Sequence, residues 1–296
     1  MGIRLLLDHG VDVMARDTAG NTPLHYAAFG ANAQVLRLMM NKVPAFASLL
    51  IINLKNDGGE TLLHWATAGK NYEIVSYLLS EGAEVNAVND NGWTPLLCAI
   101  VPSPATEISG PGSKLHIVVE TANLLLEHGA DACVGSAEGW TPLHLIAAHT
   151  DTGESDLMTE LAADLIARGS PMTQRAAKQP PFEFTISGGS DLDNLNVGIW
   201  GSRAATYASE GGDPHVELQA ATLLHWAAHY GAVGTASVLK TPGADIQAKN
   251  SRGHFPGHLG VESRRLSTSR PHADIRLLQL LATDGIPGLQ FYTELD

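Results

Sequence analysis

A short motif, Thr-Pro-Leu-His or a near variant, returns along the whole chain and constrains its fold more than any other feature. It stands as Thr-Pro-Leu-His at residues 22–25 and 141–144, as Thr-Leu-Leu-His at 61–64 and 222–225, as Thr-Pro-Leu-Leu at 94–97, and eroded to Phe-Pro-Gly-His at 255–258. A second marker, Leu-Leu-x-x-Gly-Ala-Asp or a near variant, sets a glycine at 10, 82, 129, 169, 243 and 285. A helix stops most easily when its next residue turns left-handed, where glycine alone meets no steric penalty. From glycine to the next register the gap is 12 residues at 10→22, 82→94, 129→141 and 243→255. Repetition of this kind means that each unit buries its apolar face on its neighbours.

Each motif residue has a mechanical reason. Thr caps a short first helix, and Pro sits in that helix's first turn, where its missing N–H is no loss. Leu24, Leu63, Leu96, Leu143 and Leu224 are then expected to point into the stack, and the small pairs Ala27-Ala28 and Ala227-Ala228 let paired helices approach closely. Second helices, over 73–80 and 122–127 among others, carry aliphatic residues at three-and-four spacing. The chain opens inside such a helix, 3–7, with no polar cap ahead of it. Two expectations follow, that the gene product is short at this end or that this edge docks on another copy or on a partner, because terminal repeats normally carry a polar outer face.

With 33 residues from Thr61 to Thr94 and again from Thr222 to Phe255, the pattern resembles the ankyrin repeat and its Thr-Pro-Leu-His-x-Ala signature. The resemblance implies an all-α repeat solenoid, an ankyrin-type helix-turn-helix stack with β-hairpin fingers and one long inserted finger. It leads us to expect a single array over 1–296: a half repeat at 1–16, repeats near 17–56, 57–89, 90–136, 137–169, 217–250 and 251–286, and an insertion at 170–216.

Departures from the period are where such a chain can place something of its own. Extra residues fall at 43–54. The unit opening at Thr94 runs 35 residues to Gly129 against 21 from Thr61 to Gly82, a surplus of 14 that coincides with the Pro-, Ser- and Gly-rich stretch 102–113. A smaller surplus, 28 minus 21, lies between Thr141 and Gly169 and includes 151–155. Gly169 to Thr222 spans 53 residues where 12 are standard, so about 41 are added at a finger. Within them Phe182 to Ile186 alternates at a period of two and 195–200 reads as a second strand, which suggests an enlarged hairpin. The aromatic content, Phe182, Phe184, Trp200 and Tyr207, argues for a segment that packs; a tolerated irregular insertion is the plainer reading.

Composition narrows the partners. Eighteen Lys and Arg against 31 Asp and Glu leave a formal charge of −13, which repels nucleic acid and anionic membrane. The densest basic cluster, Arg252, Arg264, Arg265 and Arg270, is broken by acidic residues and prolines and reads as a solvated face. Cys98 and Cys133 are too few for a disulfide framework, and the opening is too short in apolar run for a secretory signal. The expected setting is therefore intracellular, cytoplasmic or nuclear, without membrane attachment.

Chemistry is sparse. The phosphate loop, the His-Glu-x-x-His zinc motif, the Gly-x-Ser-x-Gly elbow and the Cys-x-x-Cys pair are all missing, so no cofactor is expected. His25, His64, His144, His225 and His258 fill the signature slot, which in the family ties one repeat to the next through hydrogen bonds. The pairs His225 with His229 and His254 with His258 have helical spacing for sharing a metal, but nothing completes a ligand set, and no metal site is expected.

Partner contact in the family comes from the finger residue before the Thr slot, here Asn21, Glu60, Trp93, Trp140, Ala221 and His254, and from the two residues closing each first helix. Carried across, those closing slots are Phe29 and Gly30, Ala68 and Gly69, Val101 and Pro102, Ala148 and His149, His229 and Tyr230, and Glu262 and Ser263. Trp93, Trp140, His149, His229, Tyr230 and His254 are thereby expected to line a strip on the concave face, with Trp200 brought near by the insertion. Aromatic side chains there would anchor a protein or peptide; mutual stacking of Trp93 and Trp140 is the plainer alternative. A second reading stays open, in which the 170–216 segment roofs the strip into a small-molecule pocket. An isomerase, cyclase or hydrolase would then draw acid and base from His149, His229 and Tyr230, with Asp151 or His215 as support.

Overall fold

The computed structural model describes residues 2–30, 32–43, 48–101, 115–149, 155–175, 221–241, 243–260 and 271–282. The helices are α1 (Gly2–Asp8), α2 (Pro23–Gly30), α3 (Ala33–Met40), α4 (Ser48–Ile52), α5 (Leu62–Ala68), α6 (Tyr72–Ser80), α7 (Pro95–Ile100), α8 (Leu115–Glu127), α9 (Pro142–Ala147), α10 (Ser155–Ala167), α11 (Leu223–Tyr230), α12 (Val233–Lys240) and α13 (Pro271–Ala282). Residues 256–260 are helical as well. Extended pairing among the described residues is limited to an isolated bridge between Lys55 and Thr61.

The described residues divide into two compact units, one holding those up to Val101 together with 117–131, the other holding Leu115, His116 and those from Ala132 onward. In the first, α2 packs on α5 and α5 on α7, while α3 packs on α6 behind them; α2 also packs on its own second helix α3, and α5 on α6. In the second unit α9 packs on α11 and α10 on α12, and α12 carries α13. The repeat opening at Thr141 therefore lies directly against the one opening at Thr222, with the insertion between them in sequence. The hairpin expected at 182–200, like the surplus at 102–113 and 151–154, lies outside the described residues. The extra stretch at 43–54 holds the five-residue α4.

Burial follows the motif. Leu24, Leu63, Leu96, Leu143 and Leu224 are each at most 1% exposed, and enclosing a leucine fully is worth about 1.5–3 kcal/mol. On α6 the buried face is Ile74, Val75, Leu78 and Leu79, adjacent pairs one helical turn apart, as an amphipathic helix requires. The second helices are closed by left-handed glycines where the second marker put them: Gly10, Gly82, Gly129, Gly169 and Gly243 have φ between 78° and 95°.

The fingers are tight five-residue turns. Each is closed by a backbone bond, as from Asn56 N–H to Glu60 C=O (3.0 Å) and from Asn89 N–H to Trp93 C=O (3.0 Å). A side chain fastens each from inside: Asn56 Oδ1 accepts from the N–H groups of Gly58 (3.1 Å) and Glu60 (2.8 Å), and Asn89 Oδ1 from those of Asn91 and Trp93. Asp17 and Asn250 do the same in their own fingers. Such Asx turns satisfy the backbone without a strand ladder. In the first unit successive fingers zip together, Asp57 N–H donating to Ala19 C=O (3.1 Å) and Asp90 N–H to Gly58 C=O (3.0 Å). A side chain at Gly20 would collide with Asp57, so glycine is needed there for space as well as for its φ of 75°.

A second ladder runs where the helix pairs end. Asn53 donates to Gly82 C=O and accepts from Glu84 N–H (2.8 Å); one repeat on, Asn86 donates to Gly129 C=O (2.9 Å) and accepts from Asp131 N–H (2.9 Å). In the second unit Cys133 fills the corresponding place, its Sγ 3.3 Å from Gly169 C=O.

Candidate functional site

The signature histidines decide what chemistry is left to the other residues. His64 Nδ1 accepts from Thr61 N–H (3.2 Å), so its proton sits on Nε2, which donates to Trp93 C=O of the next finger (3.0 Å). His25 bridges Thr22 and Glu60 in the same manner, and His225 bridges Thr222 and His254. Burial holds the imidazoles of His25, His64, His144 and His225 down at about 4, so they are neutral near pH 7. His25, His64 and His225 fasten repeats, and none of the four offers a base poised near neutrality. His225 has both nitrogens engaged in this way, and among the described residues no group of three or more His, Cys, Asp or Glu is placed to hold a metal ion.

Trp93 belongs to the first unit, and Trp140, His149, His229, Tyr230 and His254 to the second. The expectation that Trp93 and Trp140 stand out as exposed anchors does not hold: they are 5% and 0% exposed. A finger this short leaves a large side chain at its base no room to project, and the indole is covered by its neighbours. Trp140 packs edge-on against Trp226, with ring centroids 4.9 Å apart, and against His144 at 5.5 Å. Tyr230 stacks on Trp226 at 5.9 Å and is itself buried, as is His149. His229 and His254 keep part of their surface open. Trp200, Asp151 and His215 lie outside the described residues, as does most of the 170–216 segment that the enclosed-pocket reading requires.

An aromatic group that sequence reasoning passed over is open to solvent. Tyr26 on α2 is 38% exposed, and its hydroxyl donates to Asp17 Oδ2 at the base of the first finger (2.6 Å). Its ring meets Trp65 edge-on at 5.2 Å, and the half-buried Phe29 meets the same indole at 6.3 Å. Trp65 is anchored in turn, its Nε1 donating to Glu60 Oε2 (3.0 Å), which also accepts from Asn56 Nδ2 (2.8 Å). Burial raises the Glu60 carboxyl above its ordinary value, and these two donors oppose the shift. At Asp17 desolvation pushes the carboxyl upward, but hydrogen bonds from Tyr26, Ala19 and Asn21 together outweigh it and hold the carboxyl at about 2. Asp57 and Asp90 stand exposed at the next two finger tips. The salt bridge from Arg16 to Asp57 is 3.6 Å long with both groups in water, and adds little.

The signal for Tyr26 was present. The position after the signature histidine reads Tyr26, Trp65, Cys98, Leu145, Trp226 and Leu259, an aromatic in half the repeats, although it is neither a finger slot nor a helix-end slot. Burial of this column in the later repeats and its exposure at Tyr26 could not be read from the chain.

Residues 41–103 match the family model described as ankyrin repeats (3 copies), and residues 1–40 the one described as ankyrin repeats (many copies). The chain is 30% identical over 160 residues to the ankyrin repeat protein nuc-2 of Neurospora crassa, covering 54% of this chain and 13% of that protein. It is 31% identical over 144 residues to the putative ankyrin repeat protein YahD of Escherichia coli, covering 48% and 64% respectively. To the nuclear factor NF-kappa-B p105 subunit of Gallus gallus it is 29% identical over 171 residues, or 56% of this chain and 14% of that one. It thus spans less than two thirds of the length of each of these relatives.

Proposed function

Because the chain belongs to the ankyrin-repeat proteins, we propose that it works as a protein-interaction module, without catalysis of its own, holding a protein or peptide on the concave face, where fingers and first helices meet. The observation that carries this reading is Tyr26: a large side chain held in one orientation by Asp17 and Trp65 while more than a third of it faces water. Aromatic groups ordered before binding give much contact area at little entropic cost, which is what dominant interface residues supply. Phe29 beside it and the carboxylates of Asp57 and Asp90 extend the surface, and together with a net charge of −13 they suit a partner segment that offers basic and apolar side chains. In the second unit the part-exposed His229 and His254 are the contact residues, with Trp140, His149 and Tyr230 as the packed layer behind them.

Affinity capture from the native cell tests this. A partner bound by the wild-type chain is expected to be lost with Tyr26→Ala combined with Phe29→Ala, and to be recovered less well as salt rises. Asp57→Lys with Asp90→Lys, which leaves the packing alone, is expected to weaken capture too. Undiminished recovery with both double variants overturns the assignment of the face.

A further inference from the structure

The residue that closes a finger and the slot residue four places on read Asp17 and Asn21, Asn56 and Glu60, Asn89 and Trp93, Ser136 and Trp140, and Asn250 and His254. The first two pairs consist of amides and carboxylates, whereas an indole or imidazole ring takes the second place in the later ones. Those first two fingers lie directly against each other, Asp57 N–H donating to Ala19 C=O. They also belong to the two repeats whose first helices carry Tyr26 and Trp65.

Asn56 links the two fingers. Its Oδ1 is taken by the N–H groups of Gly58 and Glu60, which fixes the amide so that Nδ2 presents two protons. One goes to Asn21 Oδ1 (2.8 Å) and the other to Glu60 Oε2 (2.8 Å). On the first side, Asn21 Nδ2 donates to Asp17 Oδ2 (3.1 Å), the same oxygen that accepts from the Tyr26 hydroxyl. On the second, Glu60 Oε2 accepts from Trp65 Nε1, and the Trp65 indole meets the Tyr26 ring edge-on. The path thus returns to its start, and Tyr26, Asp17, Asn21, Asn56, Glu60 and Trp65 form a closed ring of side chains across two fingers and two first helices. Asn21, Asn56, Glu60 and Trp65 are buried, while Tyr26 and Asp17 face water. A buried polar network joined this closely resists movement of any one member, so Tyr26 is restrained by groups 30 and 34 residues further along the chain.

We propose that Asn21, Asn56 and Glu60 are positioning residues for the binding face, holding Tyr26 in a single orientation, through Asp17 and Trp65, before a partner arrives. A side chain ordered in advance is not immobilised at binding, which is worth a factor of about two to ten in affinity. That consequence rests on Tyr26 being a contact residue; the ordering itself belongs to the free chain.

Nuclear magnetic resonance on the full chain without a partner tests it. In the parent, the three-bond couplings of Tyr26 are expected to show one χ1 rotamer. Asn56→Asp keeps the oxygen that closes the finger, as Asp17 does in its own, and removes both donors. It is expected to speed exchange of the Trp65 Nε1 proton about tenfold or more, because Glu60 loses a donor and gains a like charge beside it, and to let Tyr26 average over rotamers. Asn89→Asp, the same change one finger on, is expected to alter neither signal. Averaging of Tyr26 in the parent, unchanged signals with Asn56→Asp, or equal changes with Asn89→Asp overturn the proposal. No partner enters these measurements, so their failure is distinct from that of Tyr26 as a contact residue, which capture with the Tyr26 and Phe29 variant decides. Should Asn56→Asp not fold, Asn21→Ala opens the ring on its other side, with the residue that fills this slot at 221; Tyr26 couplings that stay those of one rotamer then overturn the proposal.

Discussion

His64 shows how much a single residue of the repeat accomplishes. Its ring takes a proton from one repeat's backbone and gives one to the next finger, both within 3.2 Å, and it is fully buried. His64→Ala should therefore destabilise the chain by about 2–4 kcal/mol, the sum of an unmet buried carbonyl and a cavity, read as a lower urea midpoint. Gly20→Ala is expected to cost more than about 1 kcal/mol, since the left-handed backbone and the approach of Asp57 both oppose a side chain. These roles were legible because the motif repeats, and a residue type that recurs at one place in a periodic unit must serve the unit. The exposure of Tyr26 and the burial of Trp93 and Trp140 were not legible. Which face of a finger residue is covered depends on the bulk of its neighbours in space, which the period does not specify.

At the scale of elements, helix starts were readable to within a residue, because Thr-Pro or Thr-Leu at the cap leaves little freedom: α5, α7, α9 and α11 all begin immediately after their threonine. Fingers were expected as hairpins and are tighter than that, since one Asx side chain closes each within five residues. The Asn53 and Asn86 ladder was not anticipated; it joins residues 29 to 45 apart in sequence, and only the stacking of repeats makes them neighbours. Asn86→Ala removes two of its bonds at once, from Asn86 to Gly129 and from Asp131 to Asn86. A loss of about 1–2 kcal/mol is expected at this half-open site, with faster amide exchange at Asp131 as the local signature. An unchanged rate at Asp131 would count against a structural role for the ladder.

For the molecule as a whole, the buried histidines add up to an acid sensitivity. His25, His64, His144 and His225 titrate at about 4 when folded and near 6.5 when unfolded. As pH falls below 6.5 the unfolded chain takes up protons first, so the stabilisation is complete above that pH and is lost progressively toward 4, at about 1.4 kcal/mol per pH unit for each group. Glu60, whose carboxyl is raised by burial, works in the opposite direction, one group against four. The urea midpoint is therefore expected to drop clearly between pH 7 and pH 5, and a flat profile would contradict the neutral, buried histidines. By itself the sequence determined the repeat, the helix caps, the inward leucines and the places where extra residues enter, because these depend on contacts within a unit or on its period. Tertiary structure alone decided that the repeats on either side of the long insertion lie against each other, that the finger tryptophans are core, and that Asn56 of one finger hydrogen-bonds Asn21 of the finger before it. Each of those depends on atoms far apart along the chain, and no local preference carries information about what will stand opposite.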